Sequence, residues 1–506
     1  MKNKNPLEKK TLSQIILKSY GAISIIVVLL GFLFATILIA CMGRNPLNMY
    51  KALIQSLTGL YTNRKGELVW NLRYVGEWLA VSVPYILCGL CMGFAAKAGL
   101  FNIGGEGQYI VGMTVAQVIA LKFFQIPGLH WMVAILCAIL AGAISIIVVL
   151  LGFLFATILI ACMGRNPLNM YKALIQSLTG LYTNRKGELV WNLRYVGEWL
   201  AVSVPYILCG LCMGFAARAG LFNIGGEGQY IVGMTVAQVI ALKFFQIPGL
   251  HWMVAILCAI LAGAIWGGIV GYLKAKFEVS EVVTTIMLNY VALYLSRIII
   301  SAIPGTNTYK TVNYPETAMI RWDFLEKITN NSTLNLGIFF AIIAVILYWF
   351  IMEKTNLGFG LRATGYNKDA AKYAGIPVVA SIVISMAISG AFAGLAGGTV
   401  ALGSFRYGRV ISGMDNYGFT GIAVALVGNN TAGGTLLAGL LFGLLASSQG
   451  AMQSMQIPKE ITFIIQGLIV VFIAMREGLR MYVKWQEKKK LEKVEKTEKS
   501  LEEENV

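Results

Sequence analysis

The sequence predicts an all-α fold, a polytopic bundle of helices that cross a lipid bilayer. Of its 506 residues, 57% are hydrophobic and 13% are charged, whereas soluble domains carry about 25% charged residues. Residues 328–352, 378–403 and 433–452 carry no charge at all. A helix needs about 20 residues to cross a hydrocarbon core of about 30 Å. These segments are long enough, and their continuous apolar character excludes the alternating pattern of a membrane β-barrel.

The excess of positive charge, formally +17, lies in the loops and tails between the apolar segments. Basic residues beside membrane spans mark the cytoplasmic side. Residues 1–20 and 476–506 are therefore predicted to be cytoplasmic tails of a cell-membrane protein, with lipid rather than nucleic acid as the partner. The first apolar run, residues 21–42, is long enough to remain as a span instead of being cleaved as a signal peptide.

Cysteine and histidine do not form a pattern that indicates metal or redox chemistry. Cys88 and Cys91 stand three positions apart, which on a helix places two small polarizable side chains on one face. The two histidines, His130 and His251, occupy equivalent positions in a repeat. We therefore expect no metal site and no cofactor in this chain.

The repeat is nearly exact. Residues 21–144 and 142–265 have the same sequence at an offset of 121 residues, except that Lys97 in the first copy is Arg218 in the second. Internal repeats in transporters are normally diverged, so near-identity indicates a recent duplication or an error of gene assembly. Because the second copy continues without interruption into the following span, we assign residues 145–475 to the working membrane domain and residues 21–144 to an additional, passenger segment.

About ten helical elements are predicted from the second copy onward. They lie near residues 143–163, 199–217, 227–244, 252–272, 282–301, 336–352, 378–403, 418–428, 433–452 and 462–475. The element at 418–428 is too short to cross a bilayer and is predicted to be a broken or re-entrant helix, which must be buried in protein or line a cavity. Residues 302–335 are polar and are predicted to form an external loop. Residues 353–377 are basic and are predicted to form a cytoplasmic loop.

The segment GLFNIGGEGQ, residues 220–229, is the first candidate for function. Its glycines, Asn223 and Glu227 are unsuited to a helix that faces lipid. A carboxylate at the end of a span must be paired, hydrated or placed at a helix N-terminus. The segment is thus either a helix-capping turn or part of a transport pathway.

The second candidate is residues 360–377, GLRATGYNKDAAKYAGIP. Within it, residues 367–374 form a short segment compatible with a helix, with Asn367 as the N-cap, Asp369 in the first turn, and Gly375 and Pro377 after its end. This segment is either a capped connecting helix or a helix that docks into a groove of a cytoplasmic partner.

These segments carry a resemblance to a known family. The arrangement Asp-Ala-Ala-x-x-x-Gly at 369–375 resembles the Glu-Ala-Ala loop of ABC importer permeases. Together with residues 220–229, EVVTTIMLNY at 281–290, LRATGYN at 361–367 and GIAVALVGN at 421–429, it resembles the nucleoside ABC transporter permeases of the branched-chain amino acid and ribose permease superfamily. The resemblance covers residues 142–475.

The resemblance implies two sets of functional residues. A surface that contacts the ATPase subunit would comprise Arg362, Gly365, Asp369, Ala370, Ala371 and Gly375. The substrate path would lie near Asn223, Glu227, Asn289 and Asp415. It also implies a second permease subunit and a substrate-binding lipoprotein as partners. ATP would be bound by the separate ATPase, since the chain contains no Gly-x-x-x-x-Gly-Lys-Ser/Thr sequence of the kind that holds ATP phosphates.

Three other functions stay open at this point. A permease for simple sugars such as ribose or galactose would have the same architecture, because the binding protein selects much of the substrate. A secondary transporter driven by an ion gradient would need ionisable relays within its spans, and few are present. A membrane enzyme would need a catalytic constellation, and the sequence has no histidine cluster or carboxylate pair that suggests one. We therefore expect a transport subunit and no enzymatic activity.

Overall fold

The computed structural model describes residues 20–62, 66–97, 160–161, 164–166, 168–184, 187–244, 246–464 and 466–467. The chain divides into two compact units, Met1–Ile146 and Ile147–Val506. The predicted tails, the junction between the two copies, the first copy of the GLFNIGGEGQ segment, and most of the predicted elements 143–163 and 462–475 lie outside the described residues.

The first unit contains three described helices and one hairpin. The helices are α1 (Tyr20–Cys41), α2 (Leu47–Thr58) and α3 (Leu72–Lys97). Strands β1 (Leu60–Thr62) and β2 (Leu68–Trp70) pair in antiparallel fashion between α2 and α3. Trp70 donates its indole N–H to the carbonyl of Thr58 at 2.7 Å, which fixes the hairpin against the end of α2.

The second unit begins with the same local structure and continues into the main bundle. Helix α4 (Leu168–Thr179) and strands β3 (Leu181–Thr183) and β4 (Leu189–Trp191) repeat the pattern of the first unit. The helices that follow are α5 (Arg194–Arg218), α6 (Gly226–Lys243), α7 (His251–Phe277), α8 (Glu281–Ser301), α9 (Asp323–Ile328), α10 (Gly337–Lys354), α11 (Asn356–Tyr366), α12 (Lys368–Tyr373), α13 (Val378–Thr399), α14 (Tyr417–Val427), α15 (Ala432–Ser447) and α16 (Gln449–Ser454).

The prediction of a helical bundle with many membrane spans is confirmed. Among the described residues, seven helices are long and apolar enough to cross a membrane: Leu72–Cys91, Arg194–Arg218, His251–Phe277, Glu281–Ser301, Gly337–Lys354, Val378–Ser404 and Ala432–Ser454. Helix α6 forms where an element was predicted, but it is not one of these seven. Helix α14 has only 11 residues, as expected for an element too short to cross a bilayer.

The predicted external loop, residues 302–335, has more local structure than the sequence indicated. It contains strand β5 (Lys310–Asn313), a 3-10 turn (Glu316–Ala318) and α9. Strand β5 pairs with β6 (Tyr407–Arg409), which follows a π-helical turn at Val400–Ser404. The pairing joins segments about a hundred residues apart, and neither is long enough to show an alternating pattern, so periodicity did not predict it.

Helix α13 is the centre of the second unit, because it packs against α5, α6 and α7. Its contact with α7 depends on glycine: Gly263 faces Gly390 and Gly394, and a Cβ on any of the three would clash with the opposite backbone. Since lipid tails are as apolar as the helices, close backbone packing has to hold such helices together. In both helices glycine recurs at every fourth position, 263, 267 and 271 in α7 and 390, 394 and 398 in α13, and this spacing allows the close contact.

Two neighbouring glycines of α7 give a direct test of this packing. A Cβ at Gly267 would clash with the carbonyl oxygen of Met386, whereas a Cβ at Gly268 would lie 3.7 Å from Ala387, an ordinary contact. We expect Gly267→Ala to destabilise the protein by about 1–3 kcal/mol, the usual cost of overpacking. Gly268→Ala is the matched control and should leave the thermal unfolding of the detergent-solubilised protein unchanged. Equal unfolding temperatures for the two variants would contradict the close contact.

Candidate functional site

The turn between α5 and α6, residues 219–225, carries the first candidate segment. Gly220 has a φ of +73°, a conformation that favours glycine, and this residue turns the chain away from the end of α5. Asn223 is buried in the turn. Gly226 and Glu227 then open α6. The glycines allow the chain to reverse in a space where side chains would not fit.

Asn223 lies at the centre of a buried hydrogen-bond network. Its amide nitrogen donates to Ser389 Oγ of α13 at 2.7 Å and to Gln229 Oε1 of α6 at 2.9 Å. Its amide oxygen accepts the backbone N–H of Gly225 at 3.0 Å. Ser389 in turn donates to the carbonyl of Cys212 in α5 at 2.6 Å. A buried amide must find partners, and here those partners join three helices.

Glu227 caps the short helix α14. Its side chain is buried, with 0% exposure, and its two carboxylate oxygens accept the backbone N–H groups of Asn416 at 2.8 Å and Gly418 at 2.6 Å. The first N–H groups of a helix have no partner within the helix and attract negative charge. The carboxylate therefore serves as a cap, but for a helix nearly two hundred residues away in sequence.

Asn289 of α8 holds the same turn from a third direction. Its amide oxygen accepts the backbone N–H of Gly228 at 2.7 Å, and its amide nitrogen donates to the carbonyl of Ile224 at 3.1 Å. Both groups belong to the chain on either side of the start of α6. Asn289 thus fixes that start, and its side chain is fully buried there.

Asp415 differs from the other three predicted pathway residues. It forms an ion pair with Arg409, with Oδ1 accepting from Nη1 at 3.2 Å, and Oδ2 accepts the Tyr230 hydroxyl at 2.9 Å. Burial by itself lowers the pKa of Arg409, but Tyr230 and Asp415 more than compensate, and the pKa lies above its usual value. The guanidinium therefore stays charged.

Asp415 also borders a cavity of about 400 Å³. The wall consists of β5, β6 and the connection to α14, with the side chains of Tyr309, Lys310, Tyr407 and Arg409. The Lys310 ammonium lies 5.1 Å from the centre of the Tyr407 ring. This combination of aromatic rings and charged or hydrogen-bonding groups can hold a small polar solute.

The second candidate segment borders a groove of about 600 Å³. Arg362 and Gly365 of α11 line it together with Arg218 from the end of α5, and with Phe359 and Tyr366. Glu353, at the end of α10, forms ion pairs with both Arg218 and Arg362. Gly365 meets the backbone of Gly220, so α11 is packed directly against the α5–α6 turn.

Helix α12 has the predicted cap. The side-chain oxygen of Asn367 accepts the backbone N–H groups of Asp369 and Ala370, both at 3.0 Å, and Gly375 follows the helix with a φ of +79°. Asp369, Ala370 and Gly375 are exposed, whereas Ala371 is buried against the bundle. The exposed side of α12 is thus formed by only part of the predicted set.

Several residues of these two regions were not predicted from the sequence. Gln229, Tyr230, Ser389 and Arg409 complete the buried networks, and Glu353 completes the groove. Glu353 offered a signal, as a single carboxylate between an apolar span and basic loops. Ser389 offered none, since a serine in an apolar helix is common. Among the described residues, no group of three or more His, Cys, Asp or Glu side chains could hold a metal ion.

The cap formed by Glu227 can be tested by Glu227→Gln. The substitution keeps the size of the side chain but removes its negative charge, which strengthens the hydrogen bonds from the two backbone N–H groups. Hydrogen bonds to charged groups are worth about 1.5–3 kcal/mol. We expect a loss of thermal stability of that order and lower transport. Glu316→Gln, at an exposed position, is the control and should have no effect. Unchanged uptake with Glu227→Gln would remove Glu227 from the pathway.

Comparison with known proteins agrees with this architecture. Residues 195–474 match the family described as branched-chain amino acid transport system / permease component. The guanosine ABC transporter permease protein NupP of Bacillus subtilis (strain 168) is 41% identical over 338 residues, which cover 67% of this chain and 94% of that protein. The nucleoside ABC transporter permease protein NupB of Lactococcus lactis subsp. cremoris (strain MG1363) is 36% identical over 340 residues, or 66% of this chain and 90% of NupB.

A third relative has a different solute in its name. The glucose ABC transporter permease protein TsgB13 of Haloferax volcanii is 32% identical over 299 residues, which cover 56% of this chain and 77% of that protein. No solved structure matches the chain. The family match and the extent of these similarities show that the chain belongs to the permease family of the branched-chain amino acid transport system.

Proposed function

We propose that the chain is the membrane-spanning permease subunit of an ABC importer that moves nucleosides into the cell with ATP hydrolysed by a separate subunit. The observation that carries the proposal is the similarity, over most of the membrane domain, to permeases named for guanosine and nucleosides, at 41% and 36% identity. A sugar permease is the second candidate, because the glucose permease is also related, but at lower identity and over less of the chain.

The cavity beside Asp415 suits a nucleoside in size and chemistry. Its volume of about 400 Å³ falls in the range of about 300–1,000 Å³ that small-molecule pockets occupy. Tyr309 and Tyr407 offer flat apolar faces to a base, and Asp415 and Arg409 offer an acceptor and donors to hydroxyl groups. Asn223, Glu227 and Asn289 do not line this cavity, but Glu227 holds the start of α14, which directly follows Asp415.

The exposed side of α11 and α12 is our proposed contact surface for the ATPase. Tyr366 and Tyr373 are 91% and 95% exposed, and aromatic side chains in such positions are typical of protein–protein contacts. Ala370 lies between them in sequence and permits close approach. Arg362 and Gly365 contribute from the groove, while the buried Ala371 anchors α12 to the bundle.

The proposal extends to the remaining partners and to the orientation of the chain in the membrane. The ATPase, a second permease and a substrate-binding lipoprotein would complete the importer, and both termini would lie on the cytoplasmic side with α11 and α12. ATP-driven movement would shift the bundle between inward-open and outward-open populations. A transporter driven by an ion gradient would need no such cytoplasmic surface.

Uptake in proteoliposomes tests the function. We expect vesicles that contain the full chain, its ATPase and the second permease to accumulate labelled guanosine only when ATP and the binding protein are supplied. Excess unlabelled nucleosides should compete, and glucose or ribose should not. Accumulation by this chain alone from a sodium or proton gradient would contradict the proposal, and competition by sugars alone would favour the second candidate.

The contact surface is tested by Ala370→Arg. The position is exposed, so the protein should fold normally, but the long charged side chain would hold the ATPase away from α12. We expect loss of co-purification with the ATPase and loss of uptake. Ala302→Arg places the same side chain at another exposed alanine, beyond α8, and serves as the control. Normal association of the Ala370→Arg variant would place the ATPase elsewhere.

A further inference from the structure

We propose that Glu353 is a positioning residue that transmits movement from the cytoplasmic helices α11 and α12 to the α5–α6 turn. The inference rests on the proposed function and adds to it the means by which the contact surface reaches the solute cavity. Glu353 stands at the end of α10, where the chain leaves the main bundle for α11.

One carboxylate here joins three helices. Oε1 of Glu353 accepts from the guanidinium of Arg218, at the end of α5, and Oε2 accepts from that of Arg362, in α11. Lys354, the neighbouring cation, lies 5.4 Å from the centre of the Trp349 ring and does not join this group. An isolated pair at a surface contributes little, but a shared network can contribute more. Without the carboxylate, two guanidinium groups would face each other unpaired.

A backbone contact reinforces the ionic one. A Cβ on Gly365 would lie 2.7 Å from the carbonyl oxygen of Arg218 and 2.8 Å from the nitrogen of Gly220. No side chain separates α11 from the turn at this point, so no flexible group can absorb a displacement of α11. Since packed protein interiors transmit strain, the turn must follow α11 when α11 moves.

The turn leads to the cavity within a few residues. Asn223 joins it to α13 through Ser389. Glu227, at the start of α6, holds the first N–H groups of α14. Asp415, which borders the cavity, immediately precedes those groups in sequence. A displacement at Gly365 therefore passes along one short stretch of chain, through hydrogen bonds to backbone groups, to the wall of the cavity.

The alternative is a structural role only, in which Glu353 stabilises the fold and nothing else. The two roles differ in the amount of solute imported per ATP hydrolysed. A stabilising residue changes how much active transporter survives, and uptake and hydrolysis then fall together. A transmitting residue changes the ratio between them.

The test uses the full chain assembled with its ATPase and second permease in vesicles. We expect Glu353→Gln to retain ATP hydrolysis but to lower the guanosine imported per ATP by at least about fivefold, the low end of coupling between distant sites. Glu326→Gln removes the carboxylate of another partly exposed ion pair, with Arg321 at 3.1 Å in the 302–335 segment, and should keep the wild-type ratio. An unchanged ratio for Glu353→Gln would overturn the inference.

If Glu353→Gln does not assemble with the other subunits, a second variant tests the same inference. Arg218→Lys introduces the residue that stands at the equivalent position 97 of the first copy. It keeps the charge but loses the planar fork that positions a carboxylate, so the imported amount per ATP should fall here too. A wild-type ratio for Arg218→Lys would then overturn the inference.

A third measurement separates this inference from the identity of the solute. Ser412→Cys places a thiol at an exposed position of the cavity. We expect ATP to change the rate at which a maleimide labels it, and Glu353→Gln to abolish that change. If the parent chain responds to ATP but imports no guanosine, and Glu353→Gln abolishes the response, the proposed solute is wrong and the inference stands. If the variant responds as the parent does, the inference alone is wrong.

Discussion

The burial of the Glu227 carboxylate is the constraint on which the arrangement of the membrane domain depends. A charge removed from water is very unfavourable unless hydrogen bonds replace its hydration. The two N–H groups at the start of α14 supply those bonds, and they are available because the first turn of a helix leaves its N–H groups unpaired. The short α14 and the start of α6 therefore have to lie together. The cavity wall at Asp415 is set by the same contact.

The apolar spans and the cap of α12 could be predicted because each depends on local sequence. Length and continuous hydrophobicity mark a span, and Asn367 followed by Asp369 marks a helix start whatever surrounds it. The segment 220–229 was also recognised, and the capping interpretation applies to Glu227. It is a capping residue, but the helix that it caps is α14 and not its own. No spacing rule could have identified that partner.

What the sequence could not predict depends on contacts between distant segments. The pairing of β5 with β6 and the sharing of Glu353 by two arginines arise only after the helices pack. Of the residues predicted near the substrate path, Asn223 and Asn289 hold backbone groups of the α5–α6 region. Glu227 holds those at the start of α14, and Asp415 borders the cavity. A polar residue beside an interrupted helix indicates a site that needs partners. Its type does not show whether those partners are protein or solute.

The two copies of the repeat show that the same local sequence can form the same helix and yet be buried to a different extent. Helix α3 and its counterpart α5 differ at one aligned position, Lys97 against Arg218. In the most apolar stretch of each helix, however, 0% of the residues of α3 are buried and 78% of those of α5. Two nearly identical segments in one chain can compete for a single place during membrane insertion, and such repeats are prone to misassembly. Because α13, the main partner of the bundle, is synthesised after both copies, both segments are already present when it enters the membrane. The duplication would then lower the yield of correctly inserted protein more than it changes the finished bundle.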